Sequence, residues 1–261
     1  VGIDFEFNKV NNKREIALCQ LNLEDNSNLA NIYLFYPPDL DKKQNKVFIE
    51  LLTDKMSKKI LHGGESLDIP YLFDNILLDE KSKQLFCLNL VDSRYLCEYF
   101  HLDNNKLEEK CKINYLLLEM KVMSKKQFKF LQNEEEKMGP IYEIVINVNK
   151  LNDLVILYTL TDVLYLPELI KKFPDNYIYN SLVPQLTSFS FNFKRISNYD
   201  EFIQEISNYN INFLRHDDGI LQLNRIFYMI NHMIDSKNKI YYNLIEINYF
   251  KKIIKLMIKY F

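Results

Sequence analysis

The first third of the chain has short apolar runs that predict β-strands. Three of them are bounded by turn-forming clusters rich in Asn, Lys, Asp and Pro, and they lie at residues 1–7, 14–23 and 31–36. Because the connections between them are short, we expect the three strands to form an antiparallel meander. The sequence opens inside the first predicted strand, at Val1, so we allow for a natural segment that precedes it.

Shorter apolar runs then alternate with segments of helical periodicity. Helices are predicted at residues 44–55, 66–78 and 93–100, and strands at residues 59–62 and 85–91. Ser66 and Asp92 are candidate helix N-caps. Strand, helix, strand and helix after an antiparallel meander predict an α/β fold in which a mixed sheet is flanked by helices.

Helical patterns dominate the rest of the chain. They lie at residues 105–120, 125–137, 152–170, 200–209, 221–235 and 242–260, and one short extra strand is predicted at residues 141–148. The segment 152–170 is almost wholly apolar, which indicates burial on most sides. The best domain boundary is at Phe173-Pro174. It predicts an α/β domain over residues 1–172 and a smaller, mostly helical accessory region over residues 173–261.

Two acidic residues share a face of the first predicted strand. Asp4 and Glu6 are two positions apart, so both side chains point to the same side of the sheet, whereas Phe5 and Phe7 point to the other, into a core. Neighbouring buried carboxylates repel each other, and a divalent cation removes that conflict. The Asp-x-Glu pattern is common by chance, and two acids on the solvated face of an edge strand would give the same spacing.

Two further carboxylates occur in predicted helices. Asp162 is the single acid of the apolar stretch at residues 154–166, with no Lys or Arg within a helical turn, and a buried carboxylate needs a partner. Tyr158 is four residues earlier, so the two side chains share one helix face. The alternative is a Tyr–Asp hydrogen bond that serves packing alone. Asp68 lies in the first turn of the helix predicted at 66–78, where an acid also favours the helix dipole.

The composition narrows the classes of protein. The 261 residues are 48% hydrophobic and 26% charged, which excludes a disordered or collagen-like chain, and no apolar run reaches the roughly 18 residues of a membrane span. The net charge of −2 gives no general signature of nucleic-acid binding. Residues 171–261, however, carry 12 basic against 8 acidic residues, which fits a cationic accessory region and fits chance equally.

The four cysteines show no paired spacing, so no zinc site is predicted. Cys19 and Cys87 lie in apolar runs, where buried thiols are expected. This cysteine usage fits an intracellular, reducing compartment best.

Taken in order, three motifs resemble those of the DEDD superfamily of 3′–5′ exonucleases. They are D-F-E at residues 4–6, H-G-G-E-S-L-D-I-P-Y-L at residues 62–72, and Y-T-L-T-D-V-L-Y-L at residues 158–166. The tyrosine four residues before the last aspartate is typical of the DEDDy branch. Within that branch the motifs look most like those of RNase D and the exosome-associated exonucleases, and the resemblance covers roughly residues 1–172.

The resemblance implies an RNase H-like fold and a site for two divalent cations, Mg²⁺ or Mn²⁺. It implies that Asp4, Glu6, Asp68 and Asp162 hold the cations and that Tyr158 orients or deprotonates the attacking water. The residue chemistry agrees, because these hard cations prefer carboxylate oxygens. A free tyrosine has a pKa near ~10 and is a poor base, so orienting the water is the more reasonable role for Tyr158.

Other residues are candidates for contact with a substrate. Phe7 follows Glu6 where this superfamily often places contacts to the 3′-terminal nucleotide, although a core aromatic is the alternative. His62 could touch the same nucleotide or serve as a structural hydrogen-bonding residue. A row of lysines could track phosphates or form a solvated helix face, and it consists of Lys251, Lys252, Lys255 and Lys259.

These expectations combine into one leading hypothesis. The chain is expected to be a metal-dependent 3′–5′ exonuclease that hydrolyses single-stranded nucleic acid by a two-metal mechanism, with no membrane partner. The preference for RNA over DNA depends on the resemblance alone. Two alternatives stay open: a DNA exonuclease of the proofreading or repair type, and a catalytically inactive, nuclease-like scaffold that binds RNA.

Overall fold

A computed structural model shows an α/β architecture built on a five-stranded sheet. The structure describes residues 1–24, 30–104, 106, 111–176, 179–180, 183–184 and 187. The chain divides into two compact units, Val1–Cys97 with Glu108–Phe191 and Glu98–Leu107 with Asn192–Phe261. Most of the second unit lies outside the described residues. So do the helices predicted after residue 187 and the lysine row at 251–259, and the boundary at residue 173 stays a prediction.

The predicted antiparallel meander is confirmed. β1 (Gly2–Val10) pairs with β2 (Lys13–Glu24), and β2 pairs with β3 (Ala30–Phe35), both in antiparallel fashion. Asn11 and Asn12 form the turn between β1 and β2, and both have positive φ angles. Asparagine adopts that backbone region more readily than most residues do, which explains how so short a connection closes the hairpin.

Two parallel strands complete the sheet on the other side of β1. β4 (Lys59–Leu61) pairs with β1, β5 (Leu90–Asp92) pairs with β4, and the strand order is β3-β2-β1-β4-β5. The mixed sheet is therefore confirmed, with β1 at its centre. Gly2 pairs with Ile60, so the later residues of β1 lie toward the edge at which β4 and β5 end.

Helices account for most of the remaining described residues. They are α1 (Lys42–Thr53), α2 (Asp68–Tyr71), α3 (Glu80–Cys87), α4 (Ser93–Asp103), α5 (Ile113–Glu119), α6 (Lys125–Met138), α7 (Asp153–Leu164) and α8 (Leu166–Ile170). Side-chain caps fix several starts. Asp41 and Ser124 form capping boxes at α1 and α6, and Asp92 accepts a hydrogen bond from the Arg94 amide at 2.9 Å, which confirms it as the cap of α4.

The helix predicted at residues 66–78 is shorter and differently started. Ser66 is not its cap, because the Ile69 amide donates instead to the Gly64 carbonyl at 2.9 Å. α2 then widens into a π-helical turn at Leu72–Ile76. Asp68 is the first residue of α2 and therefore lies in its first turn, as the sequence predicted.

The prediction of a strand at residues 85–91 is wrong for the first half of that segment, which belongs to α3. Asp79 accepts a hydrogen bond from the Ser82 amide and so starts α3 upstream of that segment. The buried residues of α3 follow helical spacing, and they are Lys83, Phe86 and Cys87. The apolar run alone did not distinguish these two structures.

The extra strand predicted at residues 141–148 does not form. The segment contains a 3₁₀ turn at Ile141–Glu143. It is attached to the sheet by the Asn8 side chain, which donates to the Ile146 carbonyl at 2.9 Å and accepts from the Ile146 amide at 2.8 Å. Ile146 then packs against Leu18 and Val155, which satisfies the apolar pattern that had suggested a strand.

The helices predicted at 152–170 and 105–120 are also revised. The first is two helices, α7 and α8, that meet at Tyr165, because Pro167 has no amide hydrogen to continue the ladder. In the second, α5 begins only at Ile113, and Cys111 is outside it. Residues 105 and 107–110 lie outside the described part of the chain.

α7 lies close against the β1–β2 hairpin, and small and amide side chains make this possible. A Cβ atom on Gly2 would lie 3.0 Å from the Val163 carbonyl oxygen, so a larger residue would push the helix away. Asn22, opposite Gly2 on β2, donates its Nδ2 to the carbonyls of Val163 and Leu164, each at 3.1 Å. These contacts fix the height of α7 above the sheet.

The cysteines are only partly as predicted. Cys19 and Cys87 are buried, as expected. Cys97 and Cys111 form a disulfide, a pairing that their spacing in the sequence did not indicate. In the described segments, no helix combines the length and apolar character that crossing a bilayer requires.

Candidate metal centre

Asp4 and Glu6 lie side by side on the central strand. Both belong to β1, and the alternation of the strand turns them to the face covered by α7, while Ile3 and Phe5 are buried on the other face. The register of β1 against β2 shifts immediately after Glu6. The predicted pairing of the two carboxylates on one face is what the strand geometry produces.

Asp162 completes a group of three carboxylates. It lies in the last turns of α7, whose height is fixed by Gly2 and Asn22. One carboxylate oxygen each from Asp4, Glu6 and Asp162 lie within 4.8 Å of one another, and all three residues are half-buried. The three side chains are thus partly enclosed by packing and partly accessible to solvent. The structure brings together residues that are more than 150 positions apart in sequence.

Asp68, at the start of α2, is not among the three residues whose carboxylate oxygens lie within 4.8 Å of one another. Burial raises its pKa first, and charges on Asp4 and Glu6 raise it further, so its charge interacts with theirs. A Cβ atom on Gly64 would lie 2.7 Å from Leu61 Cδ2 and 3.3 Å from Asp68 Oδ2, so a larger residue there would require these two side chains to shift.

The turn that carries Asp68 is held by Asp92, at the end of β5. Its carboxylate accepts hydrogen bonds from the amides of Gly63, at 2.8 Å, and Gly64, at 2.9 Å, in addition to capping α4. The Gly64 carbonyl in turn accepts a hydrogen bond from the amide of Ile69, the second residue of α2. The sequence indicated only the cap, because its spacing gives no sign that the loop after β4 folds back onto β5.

Burial raises the pKa of every carboxyl in the cluster. Asp4 is raised to about 7 by burial, and Glu6 is raised by burial and then by the charge of Asp4. For Asp68 and Asp162 the causes are burial first and then the charges on Asp4 and Glu6. No basic side chain is among these causes, so in the described residues the negative charge of the cluster is not neutralised by the protein.

These raised pKa values predict that the metal-free protein loses stability as pH rises. Above the ordinary value of 3.8 an unfolded aspartate is ionised, whereas folded Asp4 keeps its proton up to about pH 7. Because the folded state then binds more protons, its free energy of unfolding must fall with increasing pH. Urea denaturation in EDTA between about pH 6.5 and about pH 8 measures this slope.

The pH window avoids an opposing group. Burial lowers the pKa of His62 to about 4, and a histidine of this kind contributes a rise in stability that ends near its ordinary value of 6.5. A stability that increases from pH 6.5 to pH 8 in EDTA would contradict the raised pKa values of the acid cluster.

Tyr158 lies one helical turn before Asp162 and beside a cleft. The cleft separates α5, α6 and α7, and its lining includes Glu135, Tyr158 and Asp162. The charge of Asp162 raises the pKa of Tyr158 first, followed by burial. Its hydroxyl therefore stays protonated, which suits a donor that orients a ligand rather than a base. Tyr158 and Asp162 both lie in α7, four residues apart, so they share one helix face as predicted.

Glu135 is a fifth acid near the site that sequence reasoning missed. Burial raises its pKa, and its charge contributes to the raised pKa values of both Tyr158 and Asp162. Asn114 donates a hydrogen bond to its Oε1. A signal was present, since Glu135 follows the buried Phe128 and Leu131 at helical spacing, but the many charged residues of α6 obscure this apolar stripe.

The structure does not test whether Phe7 and His62 contact a substrate, as the sequence predicted. Phe7 is half-buried, and its ring packs edge-on against Tyr71 with centroids 5.9 Å apart. His62 uses both ring nitrogens within the protein, with Nδ1 2.8 Å from Ser93 Oγ and Nε2 3.0 Å from the Cys111 carbonyl. These hydrogen bonds favour the structural alternative for His62, and contact between nucleotide and either residue stays a prediction.

Gln20 is a second residue that the sequence reasoning did not single out. It stands opposite Asp4 on β2 and is fully buried. Its amide makes a contact with Glu6 that opposes part of the rise in the pKa of Glu6, but neither side-chain polar atom completes a hydrogen bond of normal geometry within the described residues. The signal was available: in the apolar β2, Gln20 and Asn22 are amides on the same inward face.

Comparison with known proteins gives one relative and no functional assignment. The chain is 34% identical over 176 residues to an uncharacterized protein, L533, of Acanthamoeba polyphaga mimivirus. The match covers 64% of this chain and 34% of the relative, so the chain spans about a third of that protein's length. No protein-family model matches the chain, and no solved structure matches it.

Proposed function

We propose that the chain is a metal-dependent 3′–5′ exonuclease with an RNase H-like fold, which acts on single-stranded nucleic acid, RNA in preference to DNA. The observation that carries the proposal is the convergence of Asp4, Glu6 and Asp162, whose ligand oxygens lie within 4.8 Å of one another. The mixed sheet and its helices are compatible with that fold. The resemblance of the three motifs supplies the reaction class.

The residues present fit a pair of divalent cations. Carboxylate oxygens are the ligands that Mg²⁺ and Mn²⁺ prefer, and a cluster of acids with raised pKa values gains most from a cation. The buried amide of Gln20 beside them is a neutral neighbour that brings no competing positive charge into the site. Asp4, Glu6 and Asp162 would hold the cations, with Asp68 completing the set.

Each side chain then has a defined task in phosphodiester hydrolysis. When bound, two such cations activate the attacking water and stabilise the leaving oxygen of an in-line displacement. Tyr158, protonated and next to Asp162, orients the attacking water through its hydroxyl. The acids themselves cannot bind a phosphate without cations, because like charges repel.

The decisive assay follows the shortening of labelled strands. A 5′-labelled single-stranded RNA and the DNA of the same sequence are incubated with the protein in Mg²⁺, Mn²⁺ or EDTA. We expect a ladder of products shortened from the 3′ end, faster for RNA, and no products in EDTA. A 3′-blocked RNA is the control for direction.

The same assay separates the two alternatives. Shortening of DNA with RNA left intact would favour the proofreading or repair type of exonuclease. RNA binding without shortening in either metal would favour the inactive scaffold and contradict the proposed hydrolysis.

Tyr158→Phe should separate the chemical step from metal binding. The variant keeps the ring and loses the hydroxyl, so we expect the single-turnover rate to fall about 10²-fold while the affinity for Mn²⁺ changes little. Rapid-quench measurement of the rate and calorimetric titration of Mn²⁺ check the two parts. An unchanged rate would show that Tyr158 serves only packing.

A further inference from the structure

Gln20 has the environment of a ligand-binding group rather than of a structural amide. It is 0% exposed, and on β2 it lies directly opposite Asp4, so its side chain is on the same face as the acid cluster. Neither its Nε2 nor its Oε1 completes a hydrogen bond within the part of the chain that is described. Buried polar groups are nearly always paired, so an unpaired one at a cluster of acids needs an explanation.

The next inward residue of the same strand provides the contrast. Asn22 is 1% exposed and opposite Gly2, and its Nδ2 donates to two carbonyl oxygens at the end of α7. That amide is structural, because it holds the helix on the sheet. Gln20 makes no corresponding contact with α7 in the described residues, although the two side chains point the same way.

We propose that Gln20 is a positioning residue of the metal centre, whose amide holds the Glu6 carboxylate in the orientation that a divalent cation requires. The inference rests on the proposed function, since it assumes that Glu6 is a ligand. An amide suits the task because it donates to a carboxylate without bringing a positive charge that would compete with the cation. A hydrogen-bonding contact from Gln20 already opposes part of the rise that burial and Asp4 cause in the pKa of Glu6.

The incomplete hydrogen bond is consistent with this role. In the metal-free cluster, like charges on Asp4, Glu6 and Asp162 would repel one another at this separation. Neutralisation of the cluster would remove that repulsion and let Glu6 close on the amide. Groups that orient metal ligands in this way typically change metal affinity by about 10–100-fold when they are lost.

The test compares Gln20→Met with wild type in two measurements. Methionine has nearly the same length and shape and no polar amide, so the fold loses no hydrogen bond. We expect the melting temperature in EDTA to be unchanged or higher, and the affinity for Mn²⁺ from calorimetric titration to fall about 10–100-fold. Gln84→Met, at an exposed position of α3, is the matched control and should leave both values unchanged.

Two further variants sharpen the comparison. Gln20→Asn withdraws the amide from Glu6 by one methylene and should also weaken Mn²⁺ binding. Asn22→Ala removes the two hydrogen bonds to α7 and should lower the melting temperature in EDTA, as expected of a structural amide.

Each contrary outcome has a defined meaning. If Gln20→Met melts lower in EDTA or does not fold, Gln20 is structural and the inference is wrong. If either Gln20 variant binds Mn²⁺ as tightly as a responsive wild type does, only the inference fails. If wild type itself shows no response to Mn²⁺, the proposed metal centre fails, and the role of Gln20 fails with it.

Discussion

Asp162→Ala should reduce hydrolysis of single-stranded RNA by at least about 10²–10³-fold while the protein still folds. Asp162 provides the carboxylate that α7 contributes to the group, and the two carboxylates on β1 cannot move to replace it. The side chain is half-buried and not in the apolar core, so truncation leaves no large cavity. Removal of one repelling charge should, if anything, favour the metal-free fold.

The measurement is the single-turnover rate on labelled RNA in saturating Mn²⁺, with circular dichroism to confirm folding. Asp153→Ala is the matched control, because it makes the same substitution in the same helix at an exposed position in the first turn. That variant should retain the wild-type rate. If the Asp162→Ala protein folds and keeps near-wild-type activity, Asp162 is not a metal ligand and the proposed mechanism is wrong.

Local periodicity was sufficient to predict much of the candidate site. The two-residue spacing of Asp4 and Glu6 and the four-residue spacing of Tyr158 and Asp162 fix which side chains share a face, whatever the tertiary fold. The antiparallel meander followed from short connections between apolar runs. These features depend on neighbours in sequence, and the structure has them as predicted.

The predictions that failed did so for different reasons. The run at residues 85–91 has no period that distinguishes a buried helix from a strand, and the local signal that decides the outcome, the Asp79 cap of α3, lies upstream of that run. The expected strand at residues 141–148 does not form. Instead, the side chain of Asn8, which is distant in sequence, makes hydrogen bonds to the backbone of Ile146. The break between α7 and α8 did have a local signal, Pro167, which the continuous apolar pattern obscured.

The amides beside the acid cluster also show that sequence defines which side chains share a face but not what each contacts. Gln20 and Asn22 have the same amide chemistry and the same orientation on β2, and the sequence cannot tell their roles apart. Their difference arises because α7 ends over Asn22, where its last carbonyls need donors, whereas Gln20 lies beside the carboxylates. A role of this kind becomes visible only when the packing of a remote helix is known.

Asp4→Asn should have two opposite effects on stability. In EDTA the variant should melt at a higher temperature than wild type, because burial has raised the pKa of Asp4 to about 7 and its ionised form is therefore disfavoured in the folded state. In Mn²⁺ the order should reverse. Wild type gains about 2.7 kcal/mol when the metal is at a hundredfold excess over Kd, which is roughly 5–10 °C for a chain of this size.

The reversal is informative because no purely structural role produces it. If Asp4 stabilised the fold itself, its replacement would lower the melting temperature both in EDTA and in Mn²⁺. Replacement of a metal ligand lowers the melting temperature only when metal is present, because the metal-bound state requires an ionised carboxylate that Asn cannot supply. Thermal melting of both proteins at about pH 7.5, with EDTA and with several millimolar Mn²⁺, gives all four values.

Asp39→Asn is the control for the loss of one acid, since Asp39 is exposed and remote from the group in sequence. It should melt like wild type in both solutions. A wild-type melting temperature indifferent to Mn²⁺, together with an Asp4→Asn protein destabilised in EDTA, would mean that these carboxylates stabilise the fold through their own hydrogen bonds. The convergence of Asp4, Glu6 and Asp162 would then need another explanation than a cation.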